Sequence, residues 1–361
     1  MATLENSPQV DDNDEAYFNF INSIKSESTK ELYESNIKLF LKFCNVSELK
    51  DLLKIDAQRY IIRYIMSLRE SKLASNSITS RLNPVFHFYA MNDVILNKKK
   101  IKMFKGEFVK KSRDRAYFHE EIKKILDVSD LRMKIVILLM TSTGCRVGAL
   151  PSLRLRNLEK IDSSGIYKIT IYEGSVEQYT TFCTPECASF IDSYLEFREK
   201  NGEKLHQDSY LIRDQFDITD IEQIRNKSKG ISRHTVMGIV ENALLKAGVK
   251  TVDHTLRYNR KEVMKCHGFR KFAFTAMSNA RINAEIREML VGHKMNLASC
   301  YYRPTEEEML QEYEKAIDNL TIDPANRLRR KVETLEIEKS RMDRIELKFQ
   351  LLEKQFNERK R

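Results

Sequence analysis

The chain has 361 residues, 42% of them hydrophobic, enough for a core in each of two ordinary domains. A formal charge of +10 favours a polyanionic partner, but 62 basic against 52 acidic residues is a small excess, so where the charge lies matters more. Six scattered cysteines with no CxxC pair, an acidic N-terminus and no apolar run longer than Ile135–Met140 argue against a disulfide scaffold, a secretory leader and a membrane span, leaving a soluble, cytoplasmic protein as the expectation.

Residues 1–15 carry five acidic and no basic side chains and almost nothing apolar, which predicts a disordered tail. From 16 to 97 apolar residues recur at three- and four-residue steps: Phe20, Ile21 and Ile24, then Ile37, Phe40 and Leu41, then Ile61, Tyr64, Ile65 and Leu68. Ser28 or Thr29 is placed to cap one helix and Ser77 another, which must take Pro84 at a kink or in its first turn. A bundle of about four helices is the expectation.

Residues 98–116 read as a basic linker. Lys98, Lys99, Lys100, Lys102, Lys105, Lys110, Lys111, Arg113 and Arg115 face only Glu107 and Asp114 there. Such a run is either a solvated connector or a strap along a phosphate backbone.

Residues 117–322 read as a second, mainly helical domain with one clear β segment, Ile166–Tyr172, a turn near Gly174 and a return strand from Tyr179 to Phe182. Residues 323–361 form a charged helical stretch with Leu328, Val332, Leu335, Met342, Ile345, Phe349, Leu352 and Phe356 at mostly alternating three- and four-residue steps, broken near Lys339. That spacing predicts a short, imperfect coiled coil.

Chemistry concentrates in four places. An apolar helix ends at Thr143-Gly144, and Arg146 follows at a turn between buried helices, where a guanidinium can fork onto phosphate oxygens or serve merely as a surface neighbour of the helix end. His267 and Arg270 stand three apart on a starting helix and so share a face. Gly292-His293 comes next, and Tyr302 lies nine residues beyond that histidine, followed by Arg303 and Pro304.

The order TGxR, HxxR, GH and Tyr resembles the tyrosine recombinase family of phage integrases, over residues 17 to 322, and the wording around Gly148–Leu153 and Tyr301–Thr305 looks most like integrases of archaeal mobile elements. The resemblance implies a helical DNA core-binding domain ahead of a catalytic domain that is mainly α with a small β-hairpin. It implies a site-specific DNA recombinase, without metal or other cofactor, that works on double-stranded DNA attachment sites as a homotetramer, with DNA-bending accessory proteins as further partners. Attack on a phosphodiester builds negative charge on a phosphorane, which Arg146 and Arg270 would stabilise. By the same resemblance His267 assists proton transfer, His293 donates to the phosphate, and Tyr302 is the nucleophile of a 3′-phosphotyrosyl intermediate, with Tyr301 as its competitor.

Two positions depart from the family pattern. Ala149 stands three residues after Arg146, where an acidic residue is usual. The hairpin turn, Glu173-Gly174-Ser175-Val176-Glu177-Gln178, holds no lysine to act as general acid, so Lys168 on the preceding strand is the candidate. The alternative is a DNA-binding relative with this fold and impaired or lost catalysis, acting as a regulatory or accessory factor.

Overall fold

A computed structural model describes residues 12–106, 115–225, 228–249, 252–253, 260–294 and 302–359. The chain divides into two units, residues 1–111 and 112–361. No described helix is long and apolar enough to cross a membrane.

The first unit is built from α1 (Asp12–Asn22), α2 (Glu27–Cys44), α3 (Ala57–Glu70), α4 (Ser75–Met91) and α5 (Lys98–Phe104). The predicted apolar steps close on one core: Phe20, Phe40, Ile61, Ile65 and Phe88 are fully buried. The buried Tyr89 hydroxyl donates to Leu52 O at 3.0 Å, which joins α4 to the turn before α3.

Several boundaries differ from the sequence reading. Residues 12–15 already belong to α1, while 1–11 lie outside the described residues. Ser26, not Ser28 or Thr29, is the residue before α2, and Ser77 sits inside the first turn of α4 rather than ahead of it. Pro84 lies in the interior of α4, where loss of a backbone hydrogen bond costs about 3 kcal/mol. Burial of Pro84, Val85 and Phe88 offsets it.

The basic run also differs in its first half. Residues 98–104 form α5, because Ile101 and Phe104 offer an apolar edge that packs into the first unit's core, Ile101 at 1% exposure. Lys98, Lys99, Lys100 and Lys102 remain exposed on that helix. Arg115 is bound within the second unit instead: it pairs with Glu121 at 2.7 Å and Glu262 at 2.9 Å and lies over the Phe118 ring. Lys110, Lys111 and Arg113 lie outside the described residues.

The second unit contains α6 (His119–Asp127), α7 (Leu131–Thr143), β1 (Leu158–Ile161), β2 (Ile166–Ile171), β3 (Tyr179–Phe182), α8 (Pro185–Lys200), α9 (Ile221–Arg225), α10 (Arg233–Lys246), β4 (Val252–Asp253), β5 (Arg260–Lys261), α11 (Lys265–Asn279), α12 (Ala284–Leu290), α13 (Glu306–Glu314), α14 (Ile317–Leu320) and α15 (Pro324–Arg359). The fold is mainly α, with an antiparallel sheet of order β1-β2-β3 that adds β1 to the predicted hairpin. Tyr172 leaves β2 with φ +55°, which ends the strand one residue before the turn.

Helix α7 is the centre of this unit and is buried on every side from Ile135 to Thr143. Its polar end is satisfied internally: the hydroxyls of Thr141, Ser142 and Thr143 donate back to Ile137 O, Leu138 O and Leu139 O at 3.0, 2.6 and 2.6 Å. Glu186 on α8, itself buried, accepts from the backbone N–H groups of Ile322 and Asp323 at 2.8 and 3.0 Å and so fixes the root of α15.

A buried charge cluster closes the far side of the unit. Glu203 receives Arg198 at 2.9 and 2.6 Å and Arg213 at 2.7 Å. Burial pushes the Glu203 carboxyl up, but the hydrogen bonds and charges of the two arginines outweigh it and hold it below the usual carboxylate range. A depressed folded value means that the cluster stabilises the fold above the ordinary carboxylate pKa of about 4.3 and loses that contribution as pH falls through the depressed value. Glu203→Gln is therefore expected to be less stable near neutrality by about 3 kcal/mol or more, because two arginines are left buried without a counter-charge. The same variant should lose stability more shallowly than the parent between about pH 5 and pH 2. Denaturant unfolding across that range checks both, and parallel curves for variant and parent would show that Glu203 is not ionised in the fold.

Candidate active site

The site is assembled at the C-terminal end of α7. Gly144 terminates the helix in the left-handed region, φ +65°, and a Cβ there would stand 3.1 Å from Val291 Cγ1 and 3.2 Å from Ala273 Cβ, so the position suits glycine on both counts. The reversal leaves Arg146 exposed, and its Nη1 donates to Gly292 O at 3.1 Å. Gly292 is again left-handed, φ +64°, just past α12, and a Cβ on it would run into the Tyr179 ring. Ala149 is buried in the short 3₁₀ turn after Arg146, so the support that an acidic residue would give comes here from a backbone carbonyl.

Arg270 occupies the second turn of α11 and is 6% exposed. Its Nη1 donates to Gly144 O at 2.5 Å, while its Nη2 is buried with no hydrogen-bond partner. Among the described residues neither Arg146 nor Arg270 has a carboxylate within ion-pair distance. Burial first, then the charge of Arg146, holds the Arg270 guanidinium below its ordinary pKa.

Two cavities share Arg146. One, of about 450 Å³, is lined by Arg146, Tyr179, His293, Tyr302 and Arg303 among others. The other, of about 320 Å³, is lined by Arg146, Tyr172, Arg233, His267 and Arg270 with neighbouring backbone. His267, exposed one turn before Arg270, and Arg270 thus face Arg146 from one side, with His293 and Tyr302 on the other.

Each of these is held by local structure. The Nδ1 of His293 contacts the Glu288 carboxylate, its backbone N–H donates to Glu288 O at 3.0 Å, and its ring lies 5.8 Å from that of Phe274. Tyr302 is half-buried against the core under α13. Thr305 and Glu308 form a capping box that starts α13, and Tyr313 on that helix donates to Ser142 O at 3.0 Å. The tyrosine segment is thereby tied to the helix end that carries Arg146. Tyr301 lies outside the described residues.

Lys168 is the candidate that the structure does not bring to either cavity. It sits on β2 opposite Phe182, and its Nζ pairs with Glu159 at 2.6 Å and Glu306 at 2.9 Å. Glu159 first, then Glu306, holds the ammonium above its ordinary pKa.

Three participants carry no sequence signal of their own. Tyr179 reads as the first residue of a strand, yet its hydroxyl is buried without a partner beside the arginines. Arg233 is marked only by Ser232, which caps α10. Glu288 stands five residues before His293, and nothing in a five-residue step announces that it touches the histidine ring.

Residues 117–308 match the family model described as the phage integrase family. The chain is similar to the tyrosine recombinase XerA of Pyrococcus furiosus, 25% identical over 309 residues covering 82% of this chain and 91% of that protein. It is also similar to the tyrosine recombinase XerA of Pyrococcus horikoshii, 23% identical over 261 residues covering 72% and 80%. In fold it is similar to the Tn1549 transposon integrase in complex with transposon right end DNA (TM-score 0.54, 12% identity, 84% of this chain and 98% of that one). A lambda integrase tetramer bound to a Holliday junction gives a TM-score of 0.53 at 15% identity, over 82% and 79%.

The contact of Gly292 with Tyr179 makes a stability prediction that needs no assay of function. Gly292 and Gly165 have φ of +64° and +62°, but a Cβ on Gly165 meets nothing within 4 Å. Gly165→Ala should therefore show only the left-handed backbone cost of about 1–2 kcal/mol, and Gly292→Ala that cost plus overpacking of roughly 1–3 kcal/mol. Equal unfolding free energies for the two variants would mean that Tyr179 does not press on Gly292.

Proposed function

The chain belongs to the phage integrase family of tyrosine recombinases, and on that premise we propose that it cuts and rejoins DNA through a covalent tyrosyl intermediate formed beside Arg146. The observation that carries the reading is the pair Arg146 and Arg270: two guanidiniums with no carboxylate partner among the described residues, one of them buried with an unpaired Nη2. Buried donors are rarely left unmet, and a phosphodiester supplies both the acceptor oxygens and the missing negative charge.

In this reading the arginines bind the nonbridging oxygens and become most effective as charge grows on the phosphorane. The Tyr302 oxygen forms the new P–O bond and the 5′ oxygen leaves, so the intermediate is a 3′-phosphotyrosine with a free 5′-hydroxyl. His267, one turn from Arg270, assists proton transfer at the tyrosine or the phosphate. His293, whose Nδ1–H donates to Glu288, donates from Nε2 to the phosphate when both ring nitrogens carry a proton. The exposed cations Lys98, Lys99, Lys100 and Lys102 on α5 contact the DNA backbone. The structurally similar integrases bound to a Holliday junction and to transposon right end DNA support DNA as the substrate, which we take to be a double-stranded attachment site.

Tyr302→Phe removes only the nucleophilic oxygen. It is expected to leave duplex binding close to the parental value and to abolish the covalent adduct trapped on a nicked suicide substrate. An adduct that survives in Tyr302→Phe and disappears in Tyr301→Phe would move the nucleophile by one residue.

The lysine-free hairpin turn favours a second reading, a DNA-binding relative with impaired catalysis. Lys168 remains our candidate for the acid that protonates the departing 5′ oxygen, and its pairs with Glu159 and Glu306 have to open for it to act. A bridging 5′-phosphorothiolate leaves as a thiolate and needs no such proton. Lys168→Ala is expected to cleave ordinary DNA slowly and the phosphorothiolate at close to the parental rate, whereas Arg146→Ala, lacking a donor to the phosphorane, should fall by about 10²-fold or more on both. Equal impairment of Lys168→Ala on the two substrates would assign the proton to another group. A parent protein that leaves even the phosphorothiolate uncut would favour the second reading.

A further inference from the structure

Beyond its first two turns α15 stands clear of the second unit, and every residue from 331 to 350 is exposed. Along it runs an apolar seam with no cover: Val332, Leu335, Met342, Ile345, Phe349 and Leu352 are each 52–69% exposed. A lone helix of such composition gains nothing from that seam, since helices in water are stabilised chiefly by packing an apolar stripe.

We propose that α15 pairs in parallel and in register with the α15 of a second copy of this chain. The steps fit two coiled-coil frames. In the first, Leu328 and Leu335 take the d positions and Val332 the a position between them; in the second, Met342 and Phe349 take a, and Ile345 and Leu352 take d. A three-residue slip near Lys339 joins the frames and overwinds the pair locally. At 36 residues the helix is roughly 54 Å long at about 1.5 Å per residue, and its seam from Leu328 to Leu352 falls within the three to four heptads or so that a coiled coil needs.

Charge complementarity chooses the partner and its direction. The g positions that flank the seam carry Lys331 in the first frame and Arg341 in the second; the e positions five residues on carry Glu336 and Glu346. A parallel pair sets each g against the partner's following e, which matches Lys331 with Glu336 and Arg341 with Glu346. An antiparallel pair sets e against e and g against g, placing acid on acid and base on base. Glu338 stands at the frame break, outside this alternation. The root of the helix is fixed, by Glu186 at its start and by Arg330 to Asp318 at 3.2 Å, so the seam is presented from a defined base. The pairing does not depend on the recombinase reading, because it is tested without DNA.

Sedimentation equilibrium of the full chain at micromolar concentration is expected to give the mass of two copies of 42.4 kDa, and Leu335→Lys with Leu352→Lys to give one. Oxidation of Leu352→Cys should link two copies through that residue well above the background of the native thiols. Lys331→Glu with Arg341→Glu should weaken the dimer by about tenfold or more, and adding Glu336→Lys and Glu346→Lys should restore it. A monomeric parent, or a mass other than that of two copies, would overturn the pairing. A dimer in which Leu352→Cys fails to link, or in which the charge-restored variant stays weak, would overturn its parallel register.

Discussion

A helix must find partners for its last carbonyls, and in this protein the end of α7 gives them to the site. Ser142 O accepts from Tyr313 and Gly144 O from Arg270, while Met140 O is taken by the N–H of Gly144 itself. Because α7 is buried from Ile135 to its end, water is not available to meet these acceptors, and side chains from α11 and α13 must come to them. The left-handed turn at Gly144 turns Arg146 out toward the two cavities. One helix terminus therefore positions an arginine directly, a second arginine through its carbonyl, and the tyrosine segment through α13.

The end of α12 repeats the device. Gly292 stops that helix in the same left-handed conformation and offers its carbonyl to Arg146, while the next residue is His293. In both places a glycine is needed twice over, for its φ and for the space that Val291, Ala273 or Tyr179 occupies. Backbone carbonyls orient the guanidiniums without neutralising them, as a carboxylate would, so the positive charge stays available to an anion. Ala149, three residues after Arg146, brings no charge to the site: its buried methyl packs, and the arginine is held by a backbone carbonyl.

Much of this was legible in the sequence because it rests on local rules. An apolar run that stops at glycine gives α7 and its turn, His267 and Arg270 share a face by helical period, and alternation gives the hairpin of β2 and β3. What escaped depends on distant partners. Ile101 makes α5 part of a folded unit only because a core lies against it, and the lysines around it conceal that from a composition count. Strand β1, four residues long, carries little alternation of its own and is defined by its pairing with β2. Tyr179 and Arg233 join the site through tertiary approach alone, Glu288 through a contact at the helix end whose rotamer no spacing announces, and Lys168 is assigned by closeness in sequence to a turn, whereas its carboxylate partners lie on β1 and at the start of α13.

The small net charge acquires meaning once the pairs are located. Arg115, Arg198, Arg213, Arg156 and Lys168 each contact one or two carboxylates, so these basic residues, all away from the arginine pair, are individually matched. At the end of α7 this matching stops, although Arg270 is as deeply placed as many of those paired groups. Burial of Arg270 first, and then the like charge of Arg146, make its charged form unfavourable, and the depressed pKa of Arg270 expresses both costs. A fold selected for stability alone would supply a carboxylate there, as it does at Glu203. That it does not is physically coherent if the missing charge arrives with a bound anion, whose binding would relieve the repulsion and whose further gain of charge would deepen the relief.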